Sequence, residues 1–583
     1  MEAPREMRWS DKTLGPDGPW NAIKVNLGNG QDVTVYAGKM WESYFPGATY
    51  CGNTATAGQP CYAQEAGAVY SEVAGTGDDP PVALSASAYY TPYMNAVGSS
   101  AKRWNDRIAL GTDSSDWNSI RVDNFELALM DDTQLRYPNG NDYPVFAGCL
   151  SFGAAPDVVN HSFRTGPELA GAVNNSLLVG ALYTDHQIAS QTFGMHIGSA
   201  ASHQVPGSLW IGGYDQNRAM NDMLSLPIPD PYYEFGNAPL ADISIAVVKG
   251  GSPFPWDSKG GLLASGNSSI GSRLDITIDP CIPYINLPQS TCEAIAAEIP
   301  VKLDEGLGLY LWDTESPEYP RIVQSPSVLT FTFVDINNNL RRVNISVPFS
   351  HLNLTLTQPL IDRPTPYFPC NAASGGAYAL GRAFLQDTFF GANLKTAVYF
   401  LSQAPGPNLN TENMRTMDDD GRTLDASEND WITSWDGYWT PLPEAQKGSS
   451  NSTSSTGIVK GNDSIDDGSI IGAAVGGGVG LLVLIIISFI IWRYKKRDKG
   501  LSLCGLALIK DKTTAQNVED NINAVEEPKT PVGHSQGVVR EPGPTVWQLP
   551  AHVTDRATEM ETPYVVHEMP TNHIGTYSQY CTN

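Results

Sequence analysis

One uncharged, strongly apolar run near the C-terminal end of the chain limits its architecture most. Residues 469–492 read SIIGAAVGGGVGLLVLIIISFIIW. An α-helix of this length, at about 1.5 Å per residue, crosses the hydrocarbon core of a bilayer. The basic sequence RYKKRDK follows at 493–499, and such residues concentrate on the cytoplasmic side. We therefore predict a single-pass transmembrane helix at 469–492 with the N-terminus outside, against the alternative of a buried core helix.

The N-glycosylation sequons agree with this orientation, because all of them precede the apolar run. They lie at Asn160, Asn174, Asn267, Asn344, Asn353, Asn451 and Asn462. We expect a plasma-membrane or cell-surface protein, with an endosomal or vacuolar membrane as the alternative. Residues 493–583 are polar and rich in proline, which predicts a disordered cytoplasmic tail whose partners the sequence does not identify.

The start of the chain is the unexpected part of this topology. Residues 1–18 contain no apolar core of the kind a signal peptide needs. Either the natural start lies elsewhere, or the transmembrane helix itself acts as the insertion signal. We treat residues 1–18 as a leader of uncertain status.

The charge balance argues against a nucleic-acid partner, and the pattern of cysteines and histidines argues against a metal site. Before residue 493 the chain holds 26 basic and 51 acidic residues, and a surface this acidic repels phosphate backbones, so no nucleic-acid partner is expected. The chain contains no C-x-x-C pair and no clustered histidines, so we expect neither a metal site nor a cofactor. Six cysteines precede the apolar run, an even number that favours disulfides in an oxidising compartment.

Short β-type runs separated by Gly, Pro, Asn and Asp follow one another from about residue 20 to residue 403. Beyond them, residues 405–468 are polar and rich in Ser, Thr and Gly, which predicts a flexible stalk. Three tryptophans within it, Trp431, Trp435 and Trp439, are a possible recognition surface. We favour their packing back onto their own domain or resting near the bilayer surface.

Four stretches of the chain, in order, resemble the pepsin-like aspartic peptidase family (peptidase A1), and in particular its membrane-tethered fungal members. They are GSLWIGGYDQNR, LADISIAVV, LDITIDPCIPYINLP and YALGRAFLQDTFFGANLKTAVYFLSQAPGP. The resemblance implies a mainly β, bilobal fold with lobes at 19–215 and 216–404. The lobes are expected to share a sheet and to enclose a cleft.

The third of these stretches resembles the second active-site loop of the family, and Asp279 falls on its catalytic aspartate. The family has Asp-Thr-Gly there, whereas this chain has Pro280 and Cys281 after the aspartate. Proline offers neither an N–H nor a hydroxyl group, and cysteine adds a side chain where the family has none. Asp279 is therefore expected to be a residual catalytic residue.

The first active-site loop departs further from the family pattern. Aligning VTVYAGKMWESYFPGATYC, residues 33–51, without gaps puts Gly38 where the first catalytic aspartate should be. The nearest acids, Asp32 and Glu42, are several residues away on the strand and turn. Two carboxyl groups about 3 Å apart are needed to split the roles of acid and base. The resemblance therefore predicts a peptidase fold without peptidase activity.

The resemblance also implies disulfides Cys51–Cys61 and Cys292–Cys370. Cys149 and Cys281 map to loops that line the cleft, and a bridge between them is a hypothesis, against two buried free thiols. Cys149 belongs to FAGCLSFG, which resembles an Asp-Gly-hydrophobic-hydrophobic-Gly segment with Ala147 for Asp and Ser151 for the last Gly. Tyr90 and Tyr93 compete for the place of the flap tyrosine.

Three functions stay in competition. The first is a catalytically inactive ectodomain that binds or senses a peptide or wall polymer and is tethered to a cytoplasmic tail. The second is an active membrane-anchored aspartic endopeptidase that has recruited another acid beside Asp279. The third is a structural cell-surface glycoprotein.

Overall fold

The structure is a computed structural model that describes residues 3–444 in part. Outside the description lie residues 29, 39–41, 55–58, 73–81, 85–95, 99–100, 111–119, 154–157, 166–170, 200–201, 229–236, 336–340, 374–375 and everything from 445 onward, as do the side chains of 82–84, 161–165 and 171–173. The chain divides into two compact units, and the described residues all belong to the first, Met1–Thr453.

The N-terminal half is built from short strands and three short helices. The strands are β1 Arg5–Glu6, β2 Ile23–Leu27, β3 Asp32–Gly38, β4 Tyr44–Pro46, β5 Val82–Leu84, β6 Ala96–Val97, β7 Ala101–Ala109, β8 Arg121–Met130, β9 Gln134–Arg136, β10 Asp142–Pro144, β11 Cys149–Ser151, β12 Asn160–Thr165, β13 Gly171–Ser176, β14 Thr192–His196, β15 Ser208–Ile211 and β16 Gly213–Asp215. The helices are α1 Tyr50–Thr54, α2 Tyr62–Glu65 and α3 Leu178–Thr184.

The C-terminal half has the same mainly β character. Its strands are β17 Met220–Pro227, β18 Ala238–Val247, β19 Ser258–Lys259, β20 Leu274–Ile278, β21 Ile285–Leu287, β22 Val301–Asp304, β23 Leu309–Trp312, β24 Ser327–Asp335, β25 Arg341–Pro348, β26 Leu354–Leu356, β27 Thr365–Phe368, β28 Cys370–Ala372, β29 Ala379–Leu380, β30 Thr388–Asn393, β31 Val398–Gln403 and β32 Met414–Thr416. The helices are α4 Gln289–Ala296, α5 Glu318–Val323 and α6 Arg382–Leu385, and 3-10 turns occupy Gln216–Arg218 and Thr433–Trp435.

A six-stranded sheet joins the two halves, in the order β1-β15-β14-β30-β31-β17. Three of its strands come from each half, and β14 meets β30 at its centre with Gly194 opposite Gly391. Strands from distant parts of the chain thus form one continuous hydrogen-bonded layer. The shared sheet expected from the resemblance is therefore present.

Each half has its own larger sheet, and we call the halves the first and second lobe. The first-lobe sheet has nine strands in the order β12-β13-β8-β4-β11-β3-β2-β7-β5. The second-lobe sheet follows β25-β24-β18-β20-β29-β21-β28, with β19 paired to β18. Strands of the two sheets contribute buried residues to one large hydrophobic cluster, so the lobes are packed together.

The local sequence explains the sheets where apolar and polar residues alternate. In β25, Val343, Ile345 and Val347 are buried, whereas Arg342 before them and Asn344 between the first two are exposed. Alternation with a period of two places one side of a strand on the core. β24 beside it is buried along nearly its whole length, as expected of a strand covered on both faces.

Part of the predicted stalk is packed onto the body, which corrects its predicted start at residue 405. We call residues 405–444 the C-terminal strap. Within it, β32 pairs with β16, and Thr440 donates a backbone hydrogen bond to the Gln324 carbonyl. Composition predicted a stalk because the strap is polar, but its tryptophans and backbone find partners on the body.

The predicted leader is also part of the folded body over the residues described. β1 pairs antiparallel with β15 at the edge of the shared sheet. Leu14 and Asp17 are buried, and the backbone N–H of Thr357 in the second lobe donates to the carbonyl of Pro16.

Within the described part of the chain, no helix is long and apolar enough to cross a membrane. The predicted transmembrane helix at 469–492, the cytoplasmic tail, the sequons at Asn451 and Asn462, and the flap tyrosine candidates Tyr90 and Tyr93 all lie outside the described residues.

Candidate functional site

The first lobe contains a three-strand motif in which β11 lies between two strands joined by a loop. β11 pairs in parallel with β3 and antiparallel with β4. The register places Ser151 of β11 opposite Gly38, the last residue of β3. The loop that begins there is the one on which the resemblance places the first catalytic triplet.

The second lobe repeats this motif with β20, β29 and β21. β29 pairs in parallel with β20 and antiparallel with β21. Leu380 lies opposite Ile278, the last residue of β20, and the N–H of the next residue, Asp279, donates to the Leu380 carbonyl at 3.1 Å. Gly38 and Asp279 therefore lie in corresponding places, where the first strand of each motif runs into its loop.

A disulfide joins the two motifs across the lobe boundary. Cys149, the first residue of β11, bonds to Cys281 in the loop after β20, with the two Cα atoms 6.0 Å apart. The half-cystines are 2% and 6% exposed. The hypothesised bridge is thus present, and the alternative of two free thiols is not. We call Gly38, Cys149, Asp279, Cys281 and Arg382 together the junction site.

The disulfide occupies the space that a side chain at position 38 would need. A Cβ atom built on Gly38 would lie 2.8 Å from Cys281 Sγ, 3.0 Å from the Leu150 carbonyl oxygen and 3.5 Å from Cys149 Sγ. Carbon and sulfur at 2.8 Å are well inside van der Waals contact. Gly38 and the Cys149–Cys281 bridge are therefore linked sterically, because the bridge fits only when residue 38 lacks a side chain.

Asp279 is held by the backbone of its own loop. Its Oδ1 accepts a hydrogen bond from the Cys281 N–H at 2.9 Å, its carbonyl accepts from the Ile282 N–H, and its side chain is only 4% exposed. A carboxylate oxygen that caps a turn in this way orders the loop. The position of Asp279 thus has a structural reason that is independent of catalysis.

Arg382 holds the same loop through hydrogen bonds to its backbone. This residue, 5% exposed, donates from Nη1 to the carbonyls of Pro280 at 3.1 Å and Cys281 at 2.9 Å. Its guanidinium carbon lies 3.9 Å from the centroid of the Tyr36 ring. Hydrogen bonds from a charged donor and a cation–π contact in a dry site are the stronger kinds of polar interaction. Arg382 therefore connects the loop of the second lobe to β3 of the first.

A buried acid from the N-terminal segment, Asp17, lies close enough to Arg382 to interact with it electrostatically. Burial raises the pKa of Asp17, and the nearby Arg382 partly opposes that shift. Asp17 Oδ1 accepts from Trp20 Nε1 at 2.8 Å, and its carbonyl accepts from the Tyr367 hydroxyl of the second lobe. Burial also raises the pKa of Tyr36 above its usual range. The segment predicted as a leader thus contributes to the lobe interface.

Further contacts cross between the lobes near the junction site. The hydroxyl groups of Tyr137 and Tyr284 are 2.7 Å apart, and the Asn139 N–H donates to the Gly306 carbonyl at 2.8 Å. Together with the disulfide and Arg382, these contacts fix the lobes at the level of the two motifs.

Asp32 and Glu42, the acids nearest to Gly38 in the sequence, pair with other residues. Glu42 Oε1 pairs with Arg103 Nη2 at 2.8 Å. Asp32 accepts from Asn26 Nδ2 at 2.9 Å at the start of β3. Both acids therefore have partners other than Asp279.

The remaining sequence-predicted residues are distributed away from the junction site. The structure contains the disulfides Cys51–Cys61 and Cys292–Cys370. Among the sequons, Asn160, Asn174 and Asn344 are exposed and Asn267 and Asn353 are half-buried. Their glycosylation stays a prediction. Within the described residues no cluster of His, Cys, Asp and Glu suits a metal ion.

One open pocket of about 360 Å³ lies beside the Cys51–Cys61 disulfide. Tyr62 and Tyr143 line it together with Pro144 and Asn141, and the Tyr62 ring stacks on Phe146 with centroids 4.8 Å apart. Aromatic walls with a few polar groups are typical of ligand-binding pockets, and this volume is within their usual range.

Comparisons with known proteins give a limited result. No known protein family matches the sequence, and no curated protein matches it. Among the solved structures that are similar is the aspartic proteinase from Irpex lacteus, with a TM-score of 0.43 and 12% sequence identity, over 70% of this chain and 98% of that one.

Sequence reasoning placed Asp279, Gly38 and the cysteines but missed Arg382 and Asp17. A signal for Arg382 exists in the sequence, because an arginine directly after the Leu-Gly pair of YALGRAF stands in an apolar run where a charge needs a partner. Asp17 gives no comparable signal, since GPDGPW has the composition of an ordinary turn.

Proposed function

We propose that residues 3–444 form a pepsin-like ectodomain that has lost peptidase catalysis and acts as a membrane-anchored binding or sensing body. The repeated three-strand motif and the shared six-stranded sheet support the pepsin-like assignment. The membrane anchor is supported by the apolar run at 469–492 and the basic residues that follow it.

The observation that carries the loss of catalysis is the disulfide at the junction site. Aspartic peptidases need two carboxyl groups about 3 Å apart, one protonated and one ionised. Position 38 has no side chain, and Cys281 Sγ fills the space beside it. The pair mechanism would need a second carboxyl group at position 38 to donate a proton to the leaving group, and glycine supplies none.

Cleavage of a quenched-peptide library by the full chain, from about pH 3 to pH 7, tests this proposal. We expect no more cleavage from the wild type than from Asp279→Ala. Cleavage that Asp279→Ala abolishes would overturn the proposal and identify a membrane-anchored aspartic endopeptidase with a rebuilt acid pair.

The binding role is tested separately. The full chain is screened against arrays of peptides and wall polysaccharides, and any ligand is tested again with Tyr62→Ala and Tyr143→Ala. Binding that either variant weakens supports the pocket beside the Cys51–Cys61 disulfide as the contact surface. A chain that binds nothing in either array, and whose cellular role survives removal of residues 500–583, would instead be a structural surface glycoprotein.

A further inference from the structure

An open pocket of about 780 Å³ lies between the C-terminal strap and the edge of the shared sheet. β17, the last strand of that sheet, forms one wall together with the 3-10 turn at Gln216–Arg218. Residues 423–429 of the strap form the opposite wall. The volume is within the usual range of ligand pockets and exceeds the 360 Å³ of the pocket beside the Cys51–Cys61 disulfide. We call this space the strap pocket.

A β-bulge shapes the β17 wall of the strap pocket. Met220 pairs with Gln403 of β31, and the next pair is Leu224 with Leu401, so four positions along β17 correspond to two along β31. Asn221 within the bulge has a φ of 61°, a left-handed conformation that asparagine tolerates. Bulges redirect side chains and are frequent next to active sites. The residues of this bulge line the pocket.

Arg341, the first residue of β25, holds the bulge in place. Its Nη1 lies 2.9 Å from Asp222 Oδ1, and its Nη2 donates to the Met223 carbonyl at 2.7 Å. Hydrogen bonds from a guanidinium group have a fixed geometry and are stronger than those between neutral groups. The β17 wall is therefore formed in advance, which lowers the cost of ordering it when a ligand binds.

Neutral hydrogen bonds connect the strap wall to the body. Asn217 Oδ1 accepts from Ser427 Oγ at 3.0 Å and from Asn429 Nδ2 at 3.1 Å. Gln216 Nε2 donates to the Asp425 carbonyl at 3.3 Å. The two walls are therefore linked directly to each other beside the pocket.

The strap is also anchored on both sides of the pocket. On one side, β32 pairs with β16. On the other side, Trp431, Trp435 and Trp439 are buried and pack against Met220 of the body. The ring of Trp435 lies 4.8 Å from that of His351, which is also a residue of the body. These contacts hold residues 423–429 in place as a wall.

The lining of the strap pocket is polar. Among the described residues that line it, three of sixteen have apolar side chains. Amide side chains are frequent, at Gln216, Asn217, Asn221, Asn413 and Asn429. An amide group both donates and accepts hydrogen bonds, and so does a hydroxyl group. This lining therefore suits a ligand rich in hydroxyl groups better than the apolar side chains of a peptide.

The charges of the lining favour an uncharged ligand. The described residues of the pocket include three acids, Asp222, Asp425 and Glu428, and two bases, Arg341 and Arg415. The acids repel anions such as phosphate, and the arginines repel cations. Arg341 is already paired with Asp222. Neither sign of charge therefore dominates the pocket.

Two side chains on opposite walls are available to a ligand. Asn221 on the body and Glu428 on the strap are both exposed and line the pocket. Within the described part of the chain, neither side chain takes part in a hydrogen bond or an ion pair. The amide of Asn221 can donate and accept, whereas an ionised carboxylate at Glu428 only accepts.

We propose that the strap pocket binds a neutral oligosaccharide, with Asn221 and Glu428 holding its hydroxyl groups from opposite walls. The inference rests on the proposed function only in that the body binds a ligand. It adds a second site and a class of ligand for that site. Neutral chains of a wall polymer and N-linked glycans of another glycoprotein share this chemistry, so the experiment includes both.

An array of neutral oligosaccharides, containing glucan, mannan and chitin fragments and N-glycans without acidic sugars, is tested with the full chain. The dissociation constant of each ligand found is then measured by calorimetry at about 0.05 M and about 0.5 M salt. We expect at least one ligand, with a dissociation constant that changes less than about twofold, because an uncharged ligand has no charge to screen. Binding of the fragments indicates a wall polymer, and binding of the N-glycans indicates a glycoprotein.

Two variants assign the binding to the strap pocket. Asn221→Gly removes one wall group and keeps the bulge, because glycine adopts a positive φ freely. Glu428→Ala removes the other group at an exposed position. Each should weaken binding about fivefold to tenfold, as expected for one lost hydrogen bond. Glu428→Gln keeps an accepting oxygen and should restore most of the affinity.

Two further variants are controls and should bind like the wild type. Glu315→Ala replaces an exposed acid that does not line the strap pocket. Tyr62→Ala alters the pocket beside the Cys51–Cys61 disulfide. Thermal denaturation of all the variants shows whether each is folded.

Failure of every neutral oligosaccharide to bind would overturn the inference, and so would an affinity unchanged in both Asn221→Gly and Glu428→Ala. An affinity that falls more than about tenfold at the higher salt concentration would overturn the uncharged class of ligand. Binding that Tyr62→Ala abolishes and the strap-pocket variants keep would place the ligand beside the Cys51–Cys61 disulfide. That result would overturn this inference and leave the proposed function standing.

Discussion

β3 and β20 occupy equivalent places in the same three-strand backbone motif. The residues at their ends have different side chains. In the second lobe the motif ends in Asp279, whose carboxylate caps its own loop. In the first lobe it ends in Gly38, and the neighbouring space is filled by the sulfur of Cys281 from the other lobe. The comparison teaches that the three-strand motif does not need its carboxylates in order to form, because hydrogen bonds between its strands hold it.

The difference also shows how the two lobes are joined. A catalytic pair of carboxyl groups would place two negative charges at the lobe boundary, or a single negative charge if one of the two groups keeps its proton. Here the boundary holds a covalent bond and the buried Arg382 instead. The junction site thus holds a structural cross-link between the lobes, and the following predictions test that comparison.

The largest effect is expected from removing the cross-link with Cys149→Ala and Cys281→Ala together. The bridge closes a sequence separation of 132 residues, for which loop-closure entropy gives about 5 kcal/mol. Pulse proteolysis of the full chain in urea measures the loss. Cys51→Ala with Cys61→Ala is the matched control, because its separation of 10 residues corresponds to about 3 kcal/mol. Equal losses for both pairs would contradict a special role of the cross-lobe bridge.

Introducing a carboxylate at position 38 with Gly38→Asp should destabilise the body by about 3 kcal/mol, through overpacking and burial of a charge. The new Cβ would lie 2.8 Å from Cys281 Sγ. Denaturation midpoints in urea report the change, and Gly271→Asp, at an exposed glycine with open space around it, is the control. A combined variant with Cys281→Gly and Cys149→Ala should show favourable coupling, and simple additivity would argue against the steric link.

Replacing the buried cation with Arg382→Met should cost about 2 kcal/mol, because the carbonyls of Pro280 and Cys281 lose a charged donor inside the protein. Arg363→Met, at an exposed position, controls for the loss of one positive charge. The rate of backbone amide hydrogen exchange in the loop that starts at Asp279 should rise in the Arg382→Met variant. An unchanged loop would show that other contacts order it.

The smallest effect is expected from Asp279→Asn. The amide oxygen can still accept from the Cys281 N–H, so the free energy of unfolding should change by less than about 1 kcal/mol. Thermal denaturation of the two chains side by side measures it. A much larger destabilisation would mean that the negative charge of Asp279, and not only its hydrogen bond, holds the loop.

Local patterns identified the features that depend on neighbours in sequence. The β runs, the turns between them and the helix at residues 289–296 follow from periodicity and composition. Asp279 and Gly38 were placed because their motifs are contiguous stretches. The strap was predicted as stalk because composition reports polarity, and three tryptophans in a polar segment do not say what they will pack against.

The sequence by itself determined the mainly β character of the body, the apolar run at 469–492 and the presence of Pro280 and Cys281 after Asp279. Only the tertiary structure decided that Cys149 bonds to Cys281, that Arg382 supports the same loop, and that His351 lies under Trp435. The physical reason is that each of these contacts joins residues far apart in the chain, with the disulfide alone spanning 132 positions. Such partners are selected by strand register and packing, which no short stretch of sequence encodes.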